Sequence, residues 1–145
     1  MKFHRAVAVY ILNSKNEVLL LYHKKLKTYL PPGGHVEDGE LTHEAAQREA
    51  KEEAGVKIRF IHINDKLGDD RATPLPTPFL VQLEDLGDHY HEDFVYLARA
   101  ESDELENCEN HEDIGWFSIN EALNLQLFEN VKRQLIHLKS IIEKS

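Results

Sequence analysis

The sequence predicts an α/β domain, and three observations carry that expectation. Two apolar runs of strand length, Ala6 to Leu12 and Val18 to Tyr22, stand near the start of the chain. A Glu- and Ala-rich stretch beyond Thr42 has helical character, and a second helical pattern places Phe128, Val131, Leu135, Leu138 and Ile142 at helical spacing. Further strand-like segments lie between the two helices, so strands precede, separate and follow the helical stretches.

Taken in order, the first two runs flank Asn13-Ser14-Lys15-Asn16, a turn-rich stretch, and predict a hairpin of buried strands. Pro31-Pro32-Gly33-Gly34 suits neither a helix nor a central strand and predicts a loop whose glycines allow close backbone approach to a ligand. Thr42 is placed as the N-cap of a helix that runs to Ala54, with Gly55 as its stop. Ala45, Ala46, Ala50 and Ala54 form a small-residue stripe suited to packing on a sheet. Val56 to Ile63 reads as a strand, whereas Asp65 to Pro78, with prolines at 74, 76 and 78, is irregular and predicts a substrate-facing flap. Phe79 to Leu83 and Phe94 to Ala98 are two more strands, with a Leu86-Gly87-Asp88 turn between them, and Trp116-Phe117 lies in another. Ser118-Ile119-Asn120-Glu121 has the spacing of a capping box, and the final helical pattern reads as core packing.

The densest chemistry lies between Gly34 and Val56. Glu40 follows the glycine, and then comes Arg48-Glu49-Ala50-Lys51-Glu52-Glu53-Ala54-Gly55-Val56. At spacings of three and four, Glu49, Glu52 and Glu53 share one helix face, where neighbouring Cβ atoms lie about 5–6 Å apart. Carboxylates that close repel one another unless a cation sits among them, and all-oxygen ligands suit Mg²⁺ or Mn²⁺ better than zinc. An ordinary surface helix has a similar composition, with pairs such as Glu44 and Arg48 at i, i+4. The Pro-Pro-Gly-Gly lead-in, Glu40 and the terminating Gly55 distinguish this one.

The run resembles the Nudix box, G-x5-E-x7-R-E-U-x-E-E-x-G-U with U a bulky aliphatic, and matches every fixed position. Only Ala50 departs, where a larger aliphatic is usual. Seven fixed residue types at fixed spacing match by chance with probability of roughly 10⁻⁸ to 10⁻⁹. The resemblance implies a Nudix α/β/α sandwich, a mixed sheet between helices, and a MutT-like pyrophosphohydrolase that uses Mg²⁺, with Mn²⁺ as a substitute. It further implies metal ligands at Glu49, Glu52, Glu53 and the Gly34 carbonyl. Arg48 would hold a box glutamate by ion pairing, and Glu40 would brace the loop-to-helix junction. The general base in such enzymes comes from the box, here Glu53, or from a later acidic loop. In that loop, Glu109-Asn110-His111-Glu112-Asp113, Glu112 is the candidate for base or metal ligand. The implied substrate is a nucleoside diphosphate linked to another moiety: a nucleotide triphosphate, a nucleotide sugar or a dinucleotide. The alternative is a non-catalytic Nudix-fold sensor, which loss of box carboxylates would mark; all are present.

Outside the box, Lys24, Lys25 and Lys27 form a basic patch, and Lys24 is a candidate phosphate contact beside the alternative of a solvated loop. His35, directly after the glycine pair, is expected at the entrance of the site. His89, His91 and Asp93 alternate and so point to one face of a strand. A His-x-His pair without a third ligand says little about zinc, and substrate contact is the expected role of His89 and His91.

Length and composition bound the rest. At 145 residues the chain is expected to form a single domain, residues 1–145. A formal net charge of −9 argues against nucleic-acid binding through a broad basic face, and no apolar run is long enough to span a bilayer. Lys2 and Arg5 lead into the first apolar run with no cleavage site behind it, so no signal peptide is expected. The single cysteine, Cys108, cannot form an internal disulfide and suits a reducing, cytoplasmic setting. Calcium binding of the EF-hand type is excluded by the missing Asp-x-Asp-x-Asp-Gly loop. The resemblance leaves a monomer or a homodimer open.

Overall fold

The computed structural model describes residues 1–105 and 114–144. Its elements run β1 (Phe3–Leu12), β2 (Val18–His23), β3 (Thr28–Leu30), β4 (Gly33–His35), α1 (Thr42–Ala54) and β5 (Ile58–Phe60), then β6 (Leu80–Asp85), β7 (Tyr90–Ala100), β8 (Ile114–Phe117), α2 (Ile119–Ala122) and α3 (Glu129–Glu143). All the strands belong to one mixed sheet, ordered β3-β2-β1-β7-β5, with β4 on β1, β6 on β7 and β8 on β2. Its spine is the parallel β1–β7 ladder, from Phe3 opposite Tyr90 to Leu12 opposite Arg99.

Alternate residues of that spine point to opposite faces, and both faces are covered. Val7, Val9 and Ile11 pack against Ala45, Ala46, Ala50 and Ala54 of α1, and all four alanines are fully buried, as the small-residue stripe predicts. On the other face, Tyr10, Leu12, Val95 and Leu97 meet Ile119 and Ala122 of α2 and Val131, Leu135 and Leu138 of α3. The result is the expected α/β/α sandwich. The capping box is also present: the Ser118 N–H donates to Glu121 Oε1, and the Glu121 N–H donates to Ser118 Oγ.

Four local expectations change. Gly33–His35 is not loop but a short strand, paired with β1 at Ala8, Val7 and Ala6. The helix N-cap is Leu41 rather than Thr42; Glu44 accepts the Leu41 N–H at 2.9 Å, and the Thr42 hydroxyl instead meets that of Tyr96. The segment from Val56 to Ile63 contributes only β5, because β6 takes over the same edge of β7 beyond Ala98. Phe128 is the N-cap of α3 and is exposed, not core.

Candidate active site

The C-terminal half of α1 turns its acidic face toward β4, and Arg48 gathers the surrounding groups. Its Nε and Nη2 grip the two oxygens of Glu40 at 2.8 and 3.1 Å. Nη1 reaches Glu49 at 2.7 Å and Glu52 at 3.3 Å, and Nη2 also donates to the His35 carbonyl at 2.9 Å. A planar guanidinium can satisfy this many acceptors at once because its five donors form a rigid fork. The pairing holds the Glu40 carboxyl below its ordinary range and raises Arg48 further. Glu40 also accepts the Glu37 N–H at 3.0 Å, so it ties the loop before α1 to the helix.

Glu53 is placed differently. One carboxylate oxygen accepts the Gly33 N–H at 2.8 Å, which joins the helix to β4. Burial, partly offset by that hydrogen bond and reinforced by the charges of Glu49 and Glu52, pushes its carboxyl up to about 7. The neighbouring strand approaches equally closely: a Cβ at Gly34 would stand 2.6 Å from Glu49 Oε1. A side chain at 34 would therefore displace the Glu49 carboxylate from its place beside Arg48.

Glu53, Gly33, Gly34 and His35 also line a cavity of about 380 Å³. Its floor follows from the sheet register. Ala6 and Ala8 of β1 share a face with Gly33 and His35 of β4 and with Asp93 and Val95 of β7, and side chains this small leave open volume above them. Gln82 and Glu84 from β6 and Phe128, Asn130, Val131 and Gln134 from the start of α3 complete the walls. Asp93 is held above its ordinary carboxyl range by burial, opposed by the Gln82 side-chain amide, and burial followed by the Asp93 charge does the same to Glu84. The Tyr10 hydroxyl, buried beneath, donates to Gln134 Oε1 at 2.6 Å and so fixes that amide at the cavity wall.

A family model described as the NUDIX domain matches residues 2–138. The chain belongs to the Nudix family. The solved structure of a NUDIX-family hydrolase from Clostridium perfringens is similar at 35% identity, with 95% of this chain and 99% of that one covered and a TM-score of 0.80. The fold is also that of a C. elegans Ap4A hydrolase (20% identity, 98% and 99% covered, TM-score 0.72) and of a MutT NUDIX hydrolase from Burkholderia pseudomallei (22%, 93% and 97%, TM-score 0.71). No helix among the described residues is long and apolar enough to cross a membrane.

Of the candidate residues named from the sequence, the Nudix box brings Gly34, Arg48, Glu49, Glu52 and Glu53 together at one end of the sheet. Lys24 lies in the β2–β3 connection between His23 and Leu26, both of which line the cavity. The irregular segment from 65 to 78, expected as a flap, lends no residue to the cavity wall; it holds a 3₁₀ turn at Asp65–Leu67, and Thr77 and Pro78 face a separate hollow beside His137. Glu112 and Cys108 lie outside the described residues. Sequence reasoning passed over Glu84, Gln82 and Gln134, which reach the cavity only through register and helix packing.

His35 and His91 stand at the cavity edge with their Nε2 atoms 3.1 Å apart. His89 and His4 adjoin them, and ligand atoms of His4, His89 and His91 all fall within 4.8 Å of one another, so the group could hold a metal ion. Burial, then the proximity of the other three imidazoles, lowers the affinity of His91 for a proton.

The Arg48 network makes a direct test of its own weight. Lysine keeps the charge but cannot hold Glu40, Glu49 and the His35 carbonyl together, so Arg48→Lys is expected to cost about 1–3 kcal/mol of stability. Thermal unfolding at neutral pH measures it. An unchanged midpoint would mean that these contacts merely decorate the surface.

Proposed function

We propose that the chain is a Mg²⁺-dependent Nudix pyrophosphohydrolase that cleaves the diphosphate bond of a nucleoside diphosphate linked to another moiety. The observation that carries this reading is the half-buried Glu53 carboxyl, tied to the Gly33 N–H and opening onto a cavity of about 380 Å³. Such a volume suits a small-molecule group more than a macromolecular surface. The carboxyls around it are oxygen donors, and one of them is disfavoured as an anion by its surroundings; that chemistry fits a hard divalent cation. Glu49, Glu52, Glu53 and the Gly34 carbonyl would hold the ion, with Mn²⁺ as a substitute for Mg²⁺. Bound there, the metal supplies charge neutralisation for the phosphoryl oxygens and acidifies water.

The protein's own groups do the rest. Arg48 anchors Glu49 and Glu52 through one oxygen of each. Glu53, held by Gly33, is positioned to take the proton of the attacking water, with Glu112 as the second candidate for that role. The cavity receives the moiety beyond the diphosphate: Ala6 and Ala8 leave it an apolar floor, and the amides of Gln82 and Gln134, held by Asp93 and Tyr10, offer hydrogen-bonding groups at its wall. His35, His89, His91 and Lys24 would meet the phosphates at the entrance. Fold and box do not choose the leaving group, which is left to the walls of that cavity.

A metal-supplemented screen of nucleoside di- and triphosphates, nucleotide sugars and dinucleotides, scored by released phosphate and pyrophosphate, tests the reading. Ap4A belongs in it because a protein of similar fold carries that name. At least one nucleotide class is expected to turn over with Mg²⁺ present. Saturable binding of a nucleotide without turnover of any would replace the enzyme by a sensor.

A further inference from the structure

The parallel register between β1 and β7 sets His4 beside His91, and the antiparallel register between β7 and β6 sets Glu84 on the other side of His91. His89 lies two residues before His91 on the same face, and His35 reaches in from β4. Four of the nine histidines of the chain therefore meet at one corner of the sheet. We propose that His4, His89 and His91 form a binding site for a borderline divalent ion, Zn²⁺ foremost, separate from the glutamates of the Nudix box.

Three features support it. Imidazole nitrogens favour Zn²⁺, Ni²⁺ and Cu²⁺ over Mg²⁺, so the corner and the box select ions of different hardness. Two of the three rings have a carboxylate at the Nδ1 edge: Asp88 lies 2.7 Å from His89 Nδ1 and Glu84 lies 3.8 Å from His91 Nδ1. Asp88, at hydrogen-bond distance, orients the His89 ring, selects its tautomer and leaves Nε2 as the ligating atom, whereas Glu84 supplies His91 with a nearby negative charge only. Finally, three ligands on one tetrahedral zinc stand about 3.3 Å from each other, against the 4.8 Å span present here. Small rotations close that gap, and His4 is exposed, so its ring has room to make them. His35, 3.1 Å from His91, is placed to become a fourth ligand. Since the His35 carbonyl accepts from Arg48, an ion at this corner would also be felt by the box.

The test needs no substrate and stands apart from the reaction proposed above. Protein stripped of metal is titrated with Zn²⁺ by calorimetry in the presence of excess Mg²⁺, and with Co²⁺ by its visible ligand-field absorption. One ion per chain is expected, with a tetrahedral Co²⁺ spectrum. His4→Ala should weaken Zn²⁺ binding by at least about 10-fold, and His4→Ala combined with His89→Ala should abolish it. Glu52→Gln should leave it intact. Circular dichroism establishes that the variants are folded, and His89→Gln replaces His89→Ala if the double variant is not. Zn²⁺ affinity that survives the double substitution, or that falls with Glu52→Gln instead, overturns the site.

Discussion

Chelation with EDTA is expected to abolish turnover, and Mg²⁺ or Mn²⁺ to restore it. Three glutamates on one face of α1 cannot approach a diphosphate unaided, because carboxylates and diphosphate are both negative and the one cation beside them, Arg48, is already shared among Glu40, Glu49 and Glu52. Removing the cation withdraws several kcal/mol of transition-state stabilisation, and each 1.36 kcal/mol is a tenfold change in rate, so a loss beyond about 10³-fold should be seen. Phosphate release before and after dialysis measures it. Hydrolysis undiminished after exhaustive chelation would sink the mechanism. Recovery with Zn²⁺ but not with Mg²⁺ would move the essential ion from the glutamates to the histidine corner.

Glu53→Gln should separate catalysis from stability in opposite directions. The amide keeps the volume, and its oxygen can still accept the Gly33 N–H, but the negative charge is lost. A fall in kcat of at least about 10²-fold is expected. Stability of the metal-free protein should change the other way. The folded-state carboxyl, pushed up to about 7, keeps its proton over a range where the unfolded carboxyl has already lost it. Its contribution to stability is therefore complete below about pH 4.5 and is lost as pH rises toward and through 7. At pH 8 without metal, Glu53→Gln should be the more stable protein, by roughly 1–3 kcal/mol, and near pH 4 the two should converge. Added Mg²⁺ should reverse the order at pH 8 by stabilising only the protein that binds it well. Near-wild-type turnover in the variant would leave Glu53 as an ordinary helix residue.

The helix carrying the Nudix box was legible because its information is local. Fixed spacings put Glu49, Glu52 and Glu53 on one face, the four buried alanines form the stripe beside it, and Gly55 ends the helix in the left-handed region where a side chain is disfavoured. β4 was not legible, since Pro31-Pro32-Gly33-Gly34 carries every local mark of a loop. What makes it a strand is the pressure of its neighbours: a Cβ at Gly33 would collide with the Val7 carbonyl oxygen. The strand exists because its residues are small enough to be trapped between β1 and α1, and no propensity scale records that. His4 escaped notice for a related reason. Nothing near it in sequence suggests a ligand, and its partners appear only once β1 and β7 are aligned. The same alignment turns Ala6 and Ala8 from unremarkable strand residues into the floor of a cavity.

That alignment also bears on how the molecule is born. The Arg48 contacts and the Glu53–Gly33 bond link residues close together along the chain, so they can form as soon as the helix does. The β1–β7 ladder instead joins the beginning of the chain to residues far along it, and closing so long a loop must cost entropy before any pairing repays it. Folding should therefore assemble the reactive glutamates early and the walls that choose a substrate late. During synthesis β1 must wait, unpaired along the edge that β7 will cover, until most of the polypeptide has emerged.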